Sequence, residues 1–133
     1  MTVRIAVINN DTAFLDLMRD LLTEEGYETH SFIQGVNDYT EVRALGPDAI
    51  ILDIRLEDPE GGWNLLELFR LDPTLTRTPI IVCSADVRAL QERTLYLQSQ
   101  GCHVLPKPFD LDTLLGLLTQ ALGPSSGNPP DAL

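Results

Sequence analysis

Residues 49–55 read AIILDIR, an apolar run that ends abruptly in Asp53. A short, continuous apolar run of this kind is typical of a β-strand covered on both faces, as in a parallel sheet. Residues 80–84 read IIVCS and repeat the arrangement, ending in Ser84. The two runs predict the central strands of a parallel sheet, and the polar residue after each run marks the carboxyl end of its strand.

Working outward, three shorter segments resemble strands: Arg4–Ile8, Tyr27–Phe32 and Val104–Leu105. The polar members of Tyr27–Phe32 favour a place at the edge of the sheet. Between the strands, apolar residues recur at helical spacing. The first helix carries Phe14, Leu17, Met18, Leu21 and Leu22, with Asp11 or Thr12 as its N-cap and Gly26 as its stop; four more helices are predicted at Val36–Leu45, Trp63–Leu71, Val87–Leu97 and Leu111–Leu122, the last capped by Asp110.

Strands alternating with helices at this spacing predict an α/β fold. We expect a single doubly wound, five-stranded parallel sheet with helices on both faces, a three-layer sandwich. The periodic pattern covers residues 1–122 as one domain. Residues 123–133 are rich in Gly, Pro and Ser, which is typical of a flexible tail or the start of a linker.

Composition narrows the functional classes. The 133 residues are 44% hydrophobic and carry a formal net charge of -11. That charge repels phosphate backbones and anionic lipid, so neither nucleic acid nor a membrane surface is an expected partner of this domain. No apolar run approaches the ~20 residues of a membrane span. Cys83 and Cys102 are expected to be reduced, buried or half-buried thiols in the cytoplasm.

Polar side chains follow several of the predicted strands. Asn9, Asn10 and Asp11 follow the first strand, Asp53 the third and Ser84 the fourth, and Lys107, the single lysine of the chain, follows the fifth. Because ligands of open parallel sheets bind at the carboxyl ends of the strands, these groups are expected to converge. A carboxylate nucleophile, a hydroxyl and an ammonium together suit a phosphoryl group. Taken separately, Asp53 could instead cap a turn, Ser84 could cap the following helix, and Lys107 could be a solvated charge.

Residues 1–122 resemble a receiver domain of the bacterial response regulators of two-component signalling. Three motifs carry the resemblance: residues 49–56 as the strand that presents the phospho-accepting aspartate, Cys83-Ser84-Ala85 as the hydroxyl switch, and Lys107-Pro108-Phe109-Asp110 as the Lys-Pro-Phe signature. The resemblance implies a flavodoxin-like fold with strand order 2-1-3-4-5. It also implies a cis peptide bond before Pro108.

The same resemblance implies roles for the matching residues. Asp53 would accept a phosphoryl group from a histidine kinase, a phosphotransfer protein or a small phosphodonor. Ser84 and Lys107 would contact the phosphoryl oxygens, and the backbone carbonyl of Arg55 would help to hold Mg²⁺. The face formed by helix 4, strand 5 and helix 5 would be read by downstream protein partners.

The match fails at the metal site. The family has two acidic residues after the first strand, whereas Asn9 and Asn10 stand there in this chain. Neutral amides attract Mg²⁺ far less than carboxylates do, so Mg²⁺ is expected to bind weakly or not at all. Asp11 or Glu57 could serve as a substitute acid. Without the metal, Asp53 and Lys107 are expected to form a direct ion pair bridged by the asparagines.

The switch also departs from the family, because its aromatic on strand five is replaced by Val104. The sequence therefore favours an atypical receiver domain that works largely through protein–protein interaction. A conventional, phosphorylation-switched single-domain response regulator is the main alternative. A flavin- or nucleotide-binding module is a minor alternative, because such modules hold phosphate in a glycine-rich turn after the first strand and this chain has no glycine there. An enzymatic role is not expected. Leu95 and Tyr96 lie off the apolar stripe of the fourth helix, where they would form a partner or homodimer surface.

Overall fold

The computed structural model describes residues 2–33, 38–54 and 59–122. Five strands form one parallel sheet in the order β2-β1-β3-β4-β5, which confirms the predicted topology. The strands are β1 (Arg4–Ile8), β2 (Glu28–Phe32), β3 (Ala49–Asp53), β4 (Ile80–Ser84) and β5 (Cys102–Pro106). Every residue of β3 and β4 is buried, whereas β2 lies at an edge and is mostly half-buried, as their sequences predict.

Six helices are present in the described ranges: α1 (Thr12–Glu24), α2 (Asp38–Leu45), α3 (Pro59–Leu71), α4 (Val87–Glu92), α5 (Thr94–Ser99) and α6 (Leu111–Leu122). The prediction of a single fourth helix was wrong, because the segment divides at Arg93 into α4 and α5. The hydroxyl of Thr94 donates to the carbonyl of Leu90 at 2.8 Å. A hydroxyl that bonds back to the preceding turn in this way commonly bends a helix.

The third helix begins earlier than predicted, at Pro59 rather than near Trp63. Proline suits the first position of a helix, since its missing N–H would have had no partner there. Gly62 is buried in the first turns of α3. A β-carbon there would lie 2.5 Å from Cδ1 of Ile54, so any larger residue would require the Ile54 side chain to shift.

The helices cover both faces of the sheet, so the three-layer sandwich is confirmed. On one face the core includes Val42 of α2, Phe69 of α3 and Leu97 of α5. On the other face it includes Met18 of α1 and Leu118 of α6. No helix among the residues described is long and apolar enough to cross a membrane.

The buried stripe of α1 differs from the predicted one. Leu15, Met18 and Leu22 are buried, whereas Leu17 is 54% exposed. The helix carries more apolar residues than the sheet can cover, and Leu17 is left beside a groove that is open to solvent. Of the two N-cap candidates for α1, Asp11 is confirmed, since it accepts from the N–H groups of Ala13 and Phe14. Asp110 is confirmed as the cap of α6, since it accepts from the N–H of Thr113.

The cysteines are free and buried, as predicted. Burial raises the pKa of the Cys83 thiol to about 12, and the negative charge of Asp53 adds to the effect. A thiol so protected is protonated and unreactive at neutral pH. The predicted tail, residues 123–133, lies outside the described residues, as do Arg55 and Glu57.

Candidate functional site

The sheet register brings three of the predicted site residues to one face. Ile8 of β1 lies opposite Leu52 of β3, so the residues that follow, Asn9 and Asp53, are neighbours. Side chains alternate between the faces of a strand, and Asp53 therefore shares its face with the Ile51 side chain two residues earlier. Lys107 reaches the same place from the end of β5. The expected convergence at the carboxyl edge of the sheet is present.

Asp53 and Lys107 form the direct ion pair that the sequence predicts. The Nζ atom of Lys107 lies 2.5 Å from Oδ1 of Asp53. Asp53 is 7% exposed, so the pair is shielded from solvent on the carboxylate side. A charge pair in such a place interacts more strongly than a surface pair, because water screens it less. The formal charge of the pair is zero.

An aromatic pair lies beneath the ammonium. Nζ of Lys107 is 5.1 Å from the ring centroid of Phe14, within the range of a cation–π contact. The ring of Phe14 meets the ring of Phe109 edge-on, with centroids 6.3 Å apart. The helical spacing predicts Phe14 only as a member of the apolar stripe of α1. Its contact with Lys107 depends on the α1–β5 arrangement, for which the sequence has no local signal.

The side chain of Asn9 makes a local turn instead of the predicted bridge to the ion pair. Its Oδ1 accepts from the backbone N–H of Asp11 at 2.9 Å, in the local turn that asparagine commonly makes before a helix. Its Nδ2 is buried and has no hydrogen-bond partner in the part of the chain that the structure describes. The expectation that Asn9 bridges the ion pair was therefore wrong. Asn10 is exposed at the same edge.

The proposed substitute acids have different outcomes. Asp11 is exposed, and its Oδ1 is already the N-cap acceptor of α1, as described above. One oxygen of its carboxylate is therefore engaged by the backbone N–H groups of Ala13 and Phe14. Glu57 is outside the described residues, as is the Arg55 carbonyl that the resemblance assigns to the metal.

Ser84 and the residue after it complete the edge. Ser84 is buried, and its Oγ accepts from the N–H of Asp86 at 3.0 Å. Its backbone carbonyl accepts from the N–H of Lys107 at 2.9 Å, which ties β4 to the segment that carries the lysine. The Lys107–Pro108 peptide bond is cis, as the resemblance implies. Val104 is half-buried and packs against the core on the face of the sheet that α2–α5 cover.

Two of the described oxygen donors at this edge are already engaged. Across residues 2–33, 38–54 and 59–122, no cluster of three or more histidine, cysteine or acidic residues is placed to hold a metal ion. The carboxylate of Asp53 is paired with Lys107, and the amide oxygen of Asn9 is used in its turn. Mg²⁺ is dehydrated reluctantly and prefers charged oxygen ligands.

Comparison with known proteins agrees with this geometry. A model of the response regulator receiver domain matches residues 5–119. The chain belongs to the response regulator receiver family. It is 32% identical over 123 residues to the response regulator MprA of Mycobacterium tuberculosis, covering 92% of this chain and 51% of MprA. The match to the DNA-binding dual master transcriptional regulator RpaA of Synechocystis is 28% identical over 112 residues, covering 84% of this chain and 46% of RpaA.

Solved receiver structures share the fold. The receiver domain of the sensor histidine kinase PA1611 from Pseudomonas aeruginosa, which has a magnesium ion in its active-site cleft, superposes with a TM-score of 0.76 at 24% identity, covering 92% of this chain and 99% of that domain. The chemotaxis response regulator CheY4 of Vibrio cholerae superposes with a TM-score of 0.77 at 20% identity, covering 91% of this chain and 99% of CheY4. These likenesses concern the fold. The receiver chain spans about half the length of the curated relatives it matches.

Two contacts that the sequence did not predict lie away from this edge. The guanidinium of Arg93 lies 4.4 Å from the ring centroid of Trp63, which is half-buried against the core as a packing residue. Asp72 is buried and accepts from Tyr39 Oη at 2.5 Å. Both contacts join residues far apart in the sequence, so no local pattern could have revealed them.

Proposed function

We propose that this receiver domain is an atypical one, which binds Mg²⁺ weakly and works largely through protein–protein interaction. The observation that carries the proposal is the ion pair: Asp53 is already neutralised by Lys107, and the family's acidic pair is replaced by Asn9 and Asn10. A typical site of the family, with three carboxylates and one lysine, attracts a dication. In this chain the corresponding residues have no net charge.

Phosphotransfer to Asp53 depends on that charge balance. As the phosphoryl group approaches a carboxylate, negative charge accumulates, and a bound dication normally compensates for it. Here Lys107 is the cation that the structure places at Asp53, and its charge is already shared with that carboxylate. We therefore expect the phospho-acceptor position to be kept but to react slowly or not at all, and we assign the domain a signalling role rather than an enzymatic one.

The partner-binding face supports an interaction role. We assign it to α4, α5, β5 and α6, which correspond to the face that receiver partners read. Leu95 is 83% exposed and Tyr96 is 45% exposed on this face. Exposed large apolar side chains that are adjacent commonly mark a binding surface. A histidine kinase, a phosphotransfer protein, a downstream target or a second copy of the chain are the expected partners. The reduced thiols fit a cytoplasmic setting.

A conventional phosphorylation switch is the second candidate. It is favoured by the convergence of Asp53, Ser84 and Lys107 at one edge. Against it stands Val104, since a valine has no ring to move between buried and exposed positions when Ser84 shifts. The two candidates therefore differ in whether Asp53 becomes phosphorylated and whether that changes the partner face.

Treatment with acetyl phosphate and Mg²⁺, followed by intact-mass spectrometry, separates the two. We expect no adduct, or only a trace, on the wild-type chain, with Asp53→Ala as the matched blank. A stoichiometric adduct of one phosphoryl group that Asp53→Ala abolishes would establish the conventional switch. Mg²⁺ titration monitored by amide NMR is the companion measurement, and tight, saturable binding at sub-millimolar metal would contradict the weak site.

A further inference from the structure

A groove separate from the carboxyl edge lies between α3 and the α4–α5 break. It has a volume of about 610 Å³. We call it the tryptophan groove, and its lining residues are Glu60, Trp63, Asn64, Leu66, Glu67, Glu92, Arg93 and Tyr96. Trp63 is the single tryptophan of the chain. Nothing in the predicted phosphoryl chemistry uses this groove.

The charges that line the groove favour a cationic ligand. Glu60, Glu67 and Glu92 line it, together with the guanidinium of Arg93. Glu92 pairs with Arg88 at 3.6 Å, so Glu60 and Glu67 carry the negative charge that the groove offers. The whole chain carries a formal charge of -11, so the long-range field has the same sign as the groove. Such a field speeds the approach of cationic groups and repels anionic ones.

The aromatic residues show how a cation is held there. Arg93 already stacks its guanidinium over the indole of Trp63, 4.4 Å from the ring centroid. This contact demonstrates that the indole face is positioned to receive a planar cation. Beside it, the half-exposed ring of Tyr96 offers an apolar surface for an aliphatic stem. Arg93 thus occupies the position that a ligand's guanidinium would take.

We propose that the tryptophan groove docks a segment of a protein partner that carries arginine or lysine. The partner's cation replaces Arg93 on the indole face and is attracted by Glu60 and Glu67, while its methylene stem lies along Tyr96. The proposal deepens the proposed interaction role and rests on it, since it specifies the chemistry of one partner. Arginine is preferred to lysine, because its planar group stacks on aromatic faces.

The test is a titration with a short arginine–serine repeat peptide, in EDTA and without a phosphodonor. Trp63 fluorescence and amide NMR shifts report binding. The double variant Glu60→Gln/Glu67→Gln removes two charges from the groove, and Asp16→Asn/Asp20→Asn removes two exposed charges from α1, on the opposite face of the sheet. We expect the groove variant to weaken binding about fivefold and the α1 variant by less than about twofold.

The variant Arg93→Ala is expected to change the peptide affinity in the opposite direction. The substitution removes the competing guanidinium and its positive charge, so the arginine–serine peptide is expected to bind this variant about threefold more tightly than wild type. A lysine–serine peptide is expected to bind wild type more weakly than the arginine–serine peptide does. Circular dichroism melts verify folding, and Arg93→Gln replaces the alanine variant if that variant is unfolded at the assay temperature.

Three results would each overturn the proposal: no saturable binding, equal weakening by the groove and α1 variants, or weaker binding by Arg93→Ala. Equal weakening would show that the peptide follows only the overall charge. Because this assay contains neither Mg²⁺ nor phosphate, its failure leaves the phosphorylation result unchanged, and the two proposals can fail separately.

Discussion

At the scale of single residues, Asn9 and Asn10 are the substitutions on which the proposed weak metal site rests. Asn9→Asp/Asn10→Asp is expected to restore a cation site, because two carboxylates then lie beside Asp53. An aspartate at position 9 also keeps an oxygen for the N–H of Asp11 and removes the buried, unpartnered N–H of Asn9. We expect Mg²⁺ to bind at least about tenfold more tightly than to wild type, measured by NMR titration.

The matched control for this change is Asn64→Asp. Asn64 is exposed on α3, so the substitution adds negative charge away from the edge. It is expected to leave Mg²⁺ affinity close to that of wild type. If the double variant gained no more affinity than Asn64→Asp does, the asparagines would not be the reason for a weak metal site.

At the scale of elements, Arg70 of α3 joins three parts of the chain. Its Nε donates to the Gln100 carbonyl at 2.6 Å, and its Nη2 donates to the Thr78 carbonyl at 2.8 Å. Arg70→Ala leaves these carbonyls without their charged donor, which we expect to lower the free energy of unfolding by about 2–4 kcal/mol in urea denaturation. Arg70→Lys is expected to recover only part of the loss, because one ammonium cannot reach both carbonyls. Full recovery by lysine would contradict this explanation.

A second element-scale contact links α2 to the end of α3 and is sensitive to pH. The hydrogen bond from Tyr39, then those from Thr74, lower the pKa of Asp72 to about 2 from its usual 3.8. Because the folded-state pKa is the lower one, the stabilisation is fully present above about pH 4 and is lost as the pH falls through 2.

We therefore expect Asp72→Asn to be less stable than wild type at neutral pH and the difference to narrow between pH 4 and pH 2, since the wild type alone loses this contribution. Thermal melts of the two proteins across that range measure it. Glu41→Gln, at an exposed position of α2, serves as the control and should run parallel to wild type. A constant gap between wild type and Asp72→Asn would show that the carboxylate charge is not involved.

The elements also show which parts of the molecule could be predicted from sequence. The strands β3 and β4 were predictable because continuous apolar runs of this short length are typical of buried strands. The Asp53–Lys107 pair was predictable because both residues follow strands of the same parallel sheet. The division at Arg93 was not predicted, because the apolar spacing continues across it and the back-bond of the Thr94 hydroxyl leaves no pattern in the sequence. The turn made by Asn9 was also missed, since amide orientation depends on neighbours that only the folded chain supplies.

At the scale of the whole molecule, the excess of negative charge opposes compactness. Twenty acidic and nine basic residues leave a formal charge of -11 on one small domain. At ~0.01 M salt the Debye length is about 30 Å, so charges repel one another across the whole domain, whereas at ~0.1 M it is about 10 Å. Unfolding separates these charges, and the repulsion therefore lowers the stability of the folded state most in dilute buffer.

We expect the melting temperature to rise with NaCl over this range and then to level off. Salt screens the shielded Asp53–Lys107 pair less than it screens the surface charges. The stability gained from reduced surface repulsion should therefore exceed the stability lost from a weaker ion pair. The triple variant Asp16→Asn/Asp20→Asn/Glu24→Gln lowers the net negative charge at exposed positions of α1 and should show a shallower rise. A melting temperature that falls with salt would mean that attractive ion pairs, rather than repulsion, dominate the electrostatics of this receiver domain.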